Sequence, residues 1–433
     1  MENKENVRMM RKTNMRIFPT YKKLAWDYLF FYTIDFLFLT QIKEISAADV
    51  MLKSTFYAFF SIVLQIPANI IVEFLGRKNS VILGNILSCL YMVIIMMSGS
   101  LFDLIIAEFF SAMSFSIKNV AEPSLLNESI PPSRYKSQIY SKLSSKGASG
   151  FYFFDAVSRI VAGVLFTVNA YLPIMLSLFV LIIVTVLSIG FIEPIKKKKK
   201  GNAVFMYKVE MKNVKEGFAF VLKSERLKAL ILCAALIYAL LQISSTYNVS
   251  LEENIGLSSV IIGIIAAIGG IISSLASKYQ NQFHNKFKNK SLLTIAILLS
   301  VSVIVAGVVG MGAKQSMILL LFVILSIFIY NFCLGMFHTS IDKYLRNFSN
   351  EKIDTKIFAA YNLFRNVFRM VGTLFASFLL DKMATAYCMI VIGVLFTIIY
   401  ILLGKYMKTR VGLKPEEYSN EERKYDELNQ VKE

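Results

Sequence analysis

NIIVEFLGRKNSVILGNILSCLYMVIIMMS, residues Asn69–Ser98, decides the fold. It carries an acid, Glu73, at the end of one apolar run, then a basic turn, Gly76-Arg77-Lys78-Asn79, then an uncharged run, Ser80–Ser98. An apolar run of about 20 residues at about 1.5 Å per residue spans the hydrocarbon core of a bilayer, about 30 Å. The rest of the chain repeats the pattern. Hydrophobic residues make up 56% of the 433 and charged residues 18%, against about 25% charged in a soluble domain. A chain so apolar cannot cover itself with polar side chains, so the sequence predicts an all-α, multi-pass membrane protein.

Twelve such runs are predicted as membrane-spanning helices: Leu24–Ile42, Thr55–Phe74, Ser80–Ser98, Leu104–Leu125, Gly147–Val168, Pro173–Ile192, Leu227–Ser250, Val260–Lys278, Leu292–Gly310, Met317–Ile341, Ile357–Leu380 and Ala384–Tyr406. The first holds Asp35 and runs into a charged turn, which excludes a cleavable signal peptide. Of the 47 lysines and arginines, Lys118, Arg159, Arg365 and Arg369 fall within these helices. Lys43, Lys53, Lys314 and Lys382 fall in odd-to-even connections, and all others fall in the two termini, the even-to-odd connections and the span ends adjoining them, where Lys228, Lys278 and Lys405 stand. That alternation places both termini in the cytoplasm of a cell-membrane protein by the positive-inside rule. The formal charge of +18 therefore reports orientation rather than nucleic-acid binding.

The longest connection falls near the middle, dividing the chain into a segment 1–23, a six-helix bundle 24–192, a basic linker 193–226, a second six-helix bundle 227–406 and a tail 407–433. The linker opens with Lys196–Lys200 and continues through Val204–Leu222, where Phe205, Val209, Phe218 and Val221 stand among lysines. Two readings stand for it: a solvated connection, or a helix lying on anionic lipid. The halves show faint internal similarity. Arg77-Lys78-Asn79-Ser80 matches Lys288-Asn289-Lys290-Ser291, and Arg159 before Gly163 matches Arg369 before Gly372. Such repeats, here giving two pseudo-symmetric bundles, underlie many transporter folds.

The four cysteines, Cys89, Cys233, Cys333 and Cys388, stand singly in apolar runs, without metal or redox spacing. His284 is expected in a basic loop and His338 in a span, either packed or relaying protons. No nucleotide-binding or hydrolase motif occurs. Neither an enzyme nor a cofactor is expected, and uphill work would draw on a gradient.

The turn after the second span, Asn69-Ile-Ile-Val-Glu73-Phe-Leu-Gly76-Arg77-Lys78, resembles the signature Gly-x-Leu-Ala-Asp-Arg-x-Gly-Arg-Lys of the major facilitator superfamily. Glu73 matches its acid, Gly76 its second glycine, and Arg77 and Lys78 its basic pair, while Asn69 and Phe74 depart from it. The resemblance implies that Glu73, Gly76, Arg77 and Lys78 gate the inward face. It also implies two six-helix halves rocking about a site near mid-membrane. The glycine-proline stretch of many drug/proton antiporters is missing from the fifth span, and Glu108 stands roughly where they carry an arginine.

Charge inside a span costs about 2.5–3.5 kcal/mol on insertion scales, so such residues face protein or water. Lys118 with Glu122, and Asp155 with Arg159, stand four apart on one helix face and can neutralise each other. Arg365 and Arg369 have no acid on their own helix. Asp35, Glu108 and Asp155 are the candidate proton-coupling residues, and Arg159, Arg365 and Arg369 the candidate substrate-binding residues. The aromatic residues around Asp35 (Tyr28, Phe30, Phe31, Tyr32, Phe36, Phe38) line either an apolar site or a packed stripe. The favoured reading is proton-coupled export of an amphipathic small molecule by a monomer in the lipid bilayer. The alternative is uptake of an anionic metabolite, and a third is a non-transporting sensor or assembly protein, against which the absence of an appended soluble domain argues.

Overall fold

The structure, a computed structural model, describes residues 2–193, 203–287, 290–348 and 354–407. Lys196–Lys200, the Lys288-Asn289 pair of the internal match and nearly all of the expected tail lie outside them. The described residues are helical throughout, with no strand: α1 Glu2–Ala25, α2 Asp35–Leu37, α3 Ala47–Val63, α4 Gln65–Leu75, α5 Arg77–Met97, α6 Leu101–Ser129, α7 Lys136–Val168, α8 Leu172–Ile189, α9 Ala203–Lys223, α10 Glu225–Ile255, α11 Ser259–Phe287, α12 Ser291–Gly310, α13 Met317–Phe348, α14 Asp354–Lys382 and α15 Thr385–Met407. Nine described helices are long and apolar enough to cross a membrane, ten when the bent pair α3 and α4 counts as one. The two remaining expected spans fall on α6, which carries five charged residues along its length, and on the broken segment after α1. The elements thus follow the twelve expected spans in order.

The first span departs from expectation. Leu24–Ile42 is not one helix: α1 ends at Ala25, residues 26–34 are turns, α2 makes a single turn, and Phe38–Ile42 closes as a π-helix. Local chemistry accounts for the break. The Asp27 carboxylate accepts the Tyr28 backbone N–H at 2.9 Å, and such a side-chain bond competes with the helical ladder. Apart from Leu29, the residues from Tyr28 to Ile34 are aromatic or β-branched, each losing rotamer freedom in a helix. Phe30 has φ +65°, which costs an L-residue about 1–2 kcal/mol. The ladder resumes where the N–H groups of Ile34 and Asp35 both bond the Phe31 carbonyl.

The second span bends by 55° between α3 and α4. Pro67 is the cause: it lacks an N–H, and its ring clashes with the carbonyl four residues back, Val63, where α3 ends. Other spans begin or end beyond expectation. The fifth starts at Lys136 rather than Gly147, and the seventh runs beyond Ser250 to Ile255. His284 is on α11, not in a loop, where its Nδ1 meets the Ser291 and Tyr344 hydroxyls at 2.9 and 3.2 Å.

The chain divides into two compact units. One comprises Met1–Ser46, Phe56–Lys208 and Ser259–Ala267, and the other Ala47–Thr55, Val209–Ser258 and Ile268–Glu433. The core of the first is Phe18, Tyr21 and Ala25 of α1 packed with Ala68 and Val72 of α4, Ile117, Ala121 and Leu125 of α6, and Val184 of α8. In the second, α10 is buried on most of its surface, as an all-round apolar helix must be. It is tied by Tyr247, whose hydroxyl donates to the Ala376 carbonyl at 2.9 Å, and by Ser250, 2.7 Å from Thr385. The linker region expected at Val204–Leu222 is helix α9. Its Phe218 ring stacks on Phe364 of α14 at 5.0 Å, and Glu216 binds Lys356.

Candidate functional site

The turn between α4 and α5 is built around Gly76. Its φ +85° and ψ 169° lie in a region that is essentially glycine's alone. A Cβ there would also stand 2.5 Å from the Glu193 carboxylate. Glu193, just past the end of α8, accepts the backbone N–H groups of Arg77 and Lys78 at 2.8 and 2.7 Å, so an acid caps the positive N-terminus of α5. The Arg77 guanidinium pairs with Glu73 at 2.7 Å and with Glu128 of α6 at 3.4 Å. Glu73, Gly76, Arg77 and Lys78 are therefore brought together, and two further acids, Glu128 and Glu193, complete the cluster.

Higher in the same unit, Tyr28 of the unwound segment is the hub of an aromatic set. Its ring stacks on Tyr91 of α5 at 5.0 Å and meets Phe115 of α6 edge-on at 5.2 Å. Tyr91 in turn lies within electrostatic reach of both Glu108 and Asp35, the candidate acids of α6 and of the start of α2. Glu108 is buried, and Asp35 is half-buried. Asp155 and Arg159 form the expected pair on α7, Oδ2 to Nε 2.9 Å, and Arg159 also reaches the Ala266 carbonyl at 3.4 Å.

The pairing of Lys118 with Glu122 is not made. Glu122 is taken by α1, through an ion pair with Lys22 and a hydrogen bond from the Tyr21 hydroxyl at 2.8 Å. Four-residue spacing puts two side chains on one face, but a partner arriving from a neighbouring helix offers Glu122 a phenol as well as an ammonium. Lys118 is left 3% exposed, its stem over Gly84 and its ammonium 5.2 Å from the centre of the Phe115 ring. It makes no hydrogen bond or ion pair with a described residue. The acid that reaches it through space from another element is Asp27, a residue the sequence reading passed over because it stood near a helix end.

In the second unit, Arg365 of α14 lies against aromatic faces, 4.6 Å from the Tyr238 ring and 5.8 Å from that of Tyr361. Cation–π contact of this kind stabilises a guanidinium by about 0.5–2 kcal/mol where water is excluded, so acids are not its only means of support. His338 sits edge-on to the same Tyr238. Arg369 follows one turn later, its carbonyl accepting the Thr373 hydroxyl at 2.8 Å.

Apolar spans in this number and order, ionisable groups buried among them and a Glu-Gly-Arg-Lys turn after the second span are the architecture of a polytopic membrane transporter. The chain belongs to the Major Facilitator Superfamily, whose family model matches residues 26–372. Compared by sequence with curated proteins, it has no match. Among solved structures it is similar to the nucleoside transporter NupG, with 11% identity, a TM-score of 0.67 and 92% of this chain and 98% of that one covered. It is similar too to a POT family transporter in complex with 5-aminolevulinic acid, with 13% identity, a TM-score of 0.64 and 94% and 96% covered. At such identities the likeness is one of fold.

Proposed function

We propose that this transporter moves a small amphipathic organic solute by alternating access, exporting it from the cell in exchange for protons. It would work as a monomer in the cell membrane with both termini cytoplasmic. One observation supports this reading best: within one unit, Asp35 and Glu108 both lie within electrostatic reach of Tyr91, amid an aromatic set centred on Tyr28. Carboxylates held away from bulk water can be poised to take and release protons, and rings beside them suit an apolar body. Asp155 would contribute through its pair with Arg159, and the Glu73-Gly76-Arg77-Lys78 turn would open and close with each cycle. The bundles 24–192 and 227–406 would be the moving parts, joined by the linker 193–226.

A second reading, uptake of an anionic metabolite, is favoured by the arginines of the second unit. Arg365 and Arg369 share a face of α14, and Arg365 is already framed by two tyrosines. Arg159 is the third candidate arginine of this reading.

Reconstitution into vesicles with an imposed pH gradient, with flux of a solute panel followed in each direction, separates the two. For export, Asp35→Asn should abolish gradient-driven flux while binding persists. For anion uptake, Arg365→Lys and Arg369→Lys should weaken binding, because lysine loses the planar fork, while Asp35→Asn leaves it intact. Full driven flux in Asp35→Asn with loss in both arginine variants would replace the first reading by the second.

A further inference from the structure

Lys118 presents an energetic problem that the structure leaves open. An ammonium inside a span is tolerated when it pairs, hydrogen-bonds or meets water. Lys118 is 3% exposed, and its one close favourable contact among the described residues is the Phe115 ring. The acid one turn along its own helix, Glu122, is occupied by Lys22 and Tyr21. Room for its stem is made by Gly84, where a Cβ would stand 2.6 Å from the Lys118 Cγ, so the side chain is seated rather than squeezed.

Facing it is the unwound segment 26–34. Irregular backbone within a membrane-spanning region is tolerated where it is buried in protein or lines a wet cavity, and broken spans are where transporters commonly hold their solutes. Asp27 stands in this segment, oriented by the Tyr28 N–H. The charged and titratable groups around it are Lys118 of α6, Asp155 of α7, itself paired with Arg159, and Tyr28 and Tyr32 of its own segment. Asp27 and Lys118 feel each other's charge but form no ion pair within 4 Å. The buried Tyr28 hydroxyl lies towards Ser88 and Ser111 without a well-formed hydrogen bond among the described residues. Tyr32 is 48% exposed. A cation and a phenol with unused donor capacity thus stand beside aromatic faces and across a gap from a carboxylate.

We propose that this gap binds the carboxylate of a small organic acid with an aromatic or apolar body, Lys118 holding the anion, and that a proton on Asp27 accompanies it. While Asp27 is ionised it supplies the counter-charge to Lys118 and repels an incoming carboxylate. Once it is protonated, Lys118 loses that share of its counter-charge, Glu122 being already shared with Lys22, and the anion restores it. Proton and anion therefore bind together, which is the linkage of a symporter. The proposal rests on the second transport reading above, uptake of an anionic metabolite, and names the chemical class of its solute.

The chain carries a single tryptophan, Trp26, at the edge of this segment, stacked on Phe151. Its fluorescence is a reporter built into the site. The full-length protein in detergent would be titrated with phenylacetate, 1-naphthoate and decanoate, each beside its neutral amide, from pH 5 to 8. The acids should change the Trp26 signal saturably, their amides should bind at least about tenfold more weakly, and acid affinity should fall as pH rises. Lys118→Met should weaken acid binding by about tenfold or more while Lys118→Arg retains it. Asp27→Asn should bind the acids with affinity that no longer varies with pH. Amides binding as well as acids, no acid binding at any pH, or the parent's pH dependence surviving in Asp27→Asn would each overturn the proposal. The first two need only the parent protein, so a misfolded variant does not shield it. Binding is read without a gradient: intact acid binding with no flux would count against the transport reading alone, and driven flux without acid binding against this site alone.

Discussion

At Gly76, two requirements coincide at one position. Its backbone conformation excludes a side chain on torsional grounds, and the Glu193 carboxylate fills the place where a Cβ would project. Gly76→Ala should therefore destabilise the protein by about 1–3 kcal/mol from the backbone alone, with a further loss from the displaced Glu193. Glu193→Ala should cost about 1–3 kcal/mol by leaving the Arg77 and Lys78 N–H groups without their acceptor. Because the two effects share one carboxylate, the double variant should lose less than the sum of the singles, as thermal unfolding in detergent would show; strict additivity would mean that the carboxylate and the glycine do not meet. The glycine was legible in the sequence as a turn residue between two apolar runs. Its partner was not, since Glu193 lies 116 residues from Arg77 and nothing in a linear pattern marks which distant acid will cap a helix.

Helices show the same division between what is local and what is not. The bend at Pro67 follows from one residue's missing N–H and is a local property. The break in the first span is also local in origin, yet hydropathy reads that stretch as continuous, because the aromatic residues that disfavour the helix are themselves apolar. The linker helix α9 illustrates packing. Gly217 lets it approach α14 so closely that a Cβ would stand 2.5 Å from the Lys356 carbonyl oxygen, with the stacked Phe218–Phe364 pair beside the contact. Gly217→Leu should push α9 away from α14, and hydrogen exchange across residues 209–223 should then become markedly faster. Unchanged protection there would show that the linker helix is held by something other than this contact. Glu216 at the same junction is held below the usual carboxylate range, first by its hydrogen bond from Lys356 and then by that residue's charge. A depressed carboxylate contributes above its ordinary range and loses that contribution as pH falls through the shifted value, so the junction should loosen only in acid.

For the whole molecule, the alternation of cations between connections carries an orientation that can be tested by side. In a background lacking the four native cysteines, Gly99→Cys and Gly256→Cys, both at exposed connections, should react with a membrane-impermeant maleimide from outside intact cells. Lys212→Cys on the exposed face of α9 should react only after the membrane is opened. Labelling of all three from one side would remove the orientation proposed here.

Composition and periodicity alone determined that the chain is an all-helical membrane protein, because span length is set by bilayer thickness and every span must declare itself locally in apolar residues; the transporter class was implied only by the resemblance of the turn at Glu73–Lys78. The Asp155–Arg159 pair was legible for the same reason, both residues lying on one turn of one helix. Tertiary structure decided what depends on neighbours. It handed Glu122 to Lys22 and Tyr21, leaving Lys118 opposite Asp27 in a broken span, and it set Arg365 against tyrosine faces. A buried charge takes whichever partner packing brings within reach, and that choice is made between helices far apart in the chain.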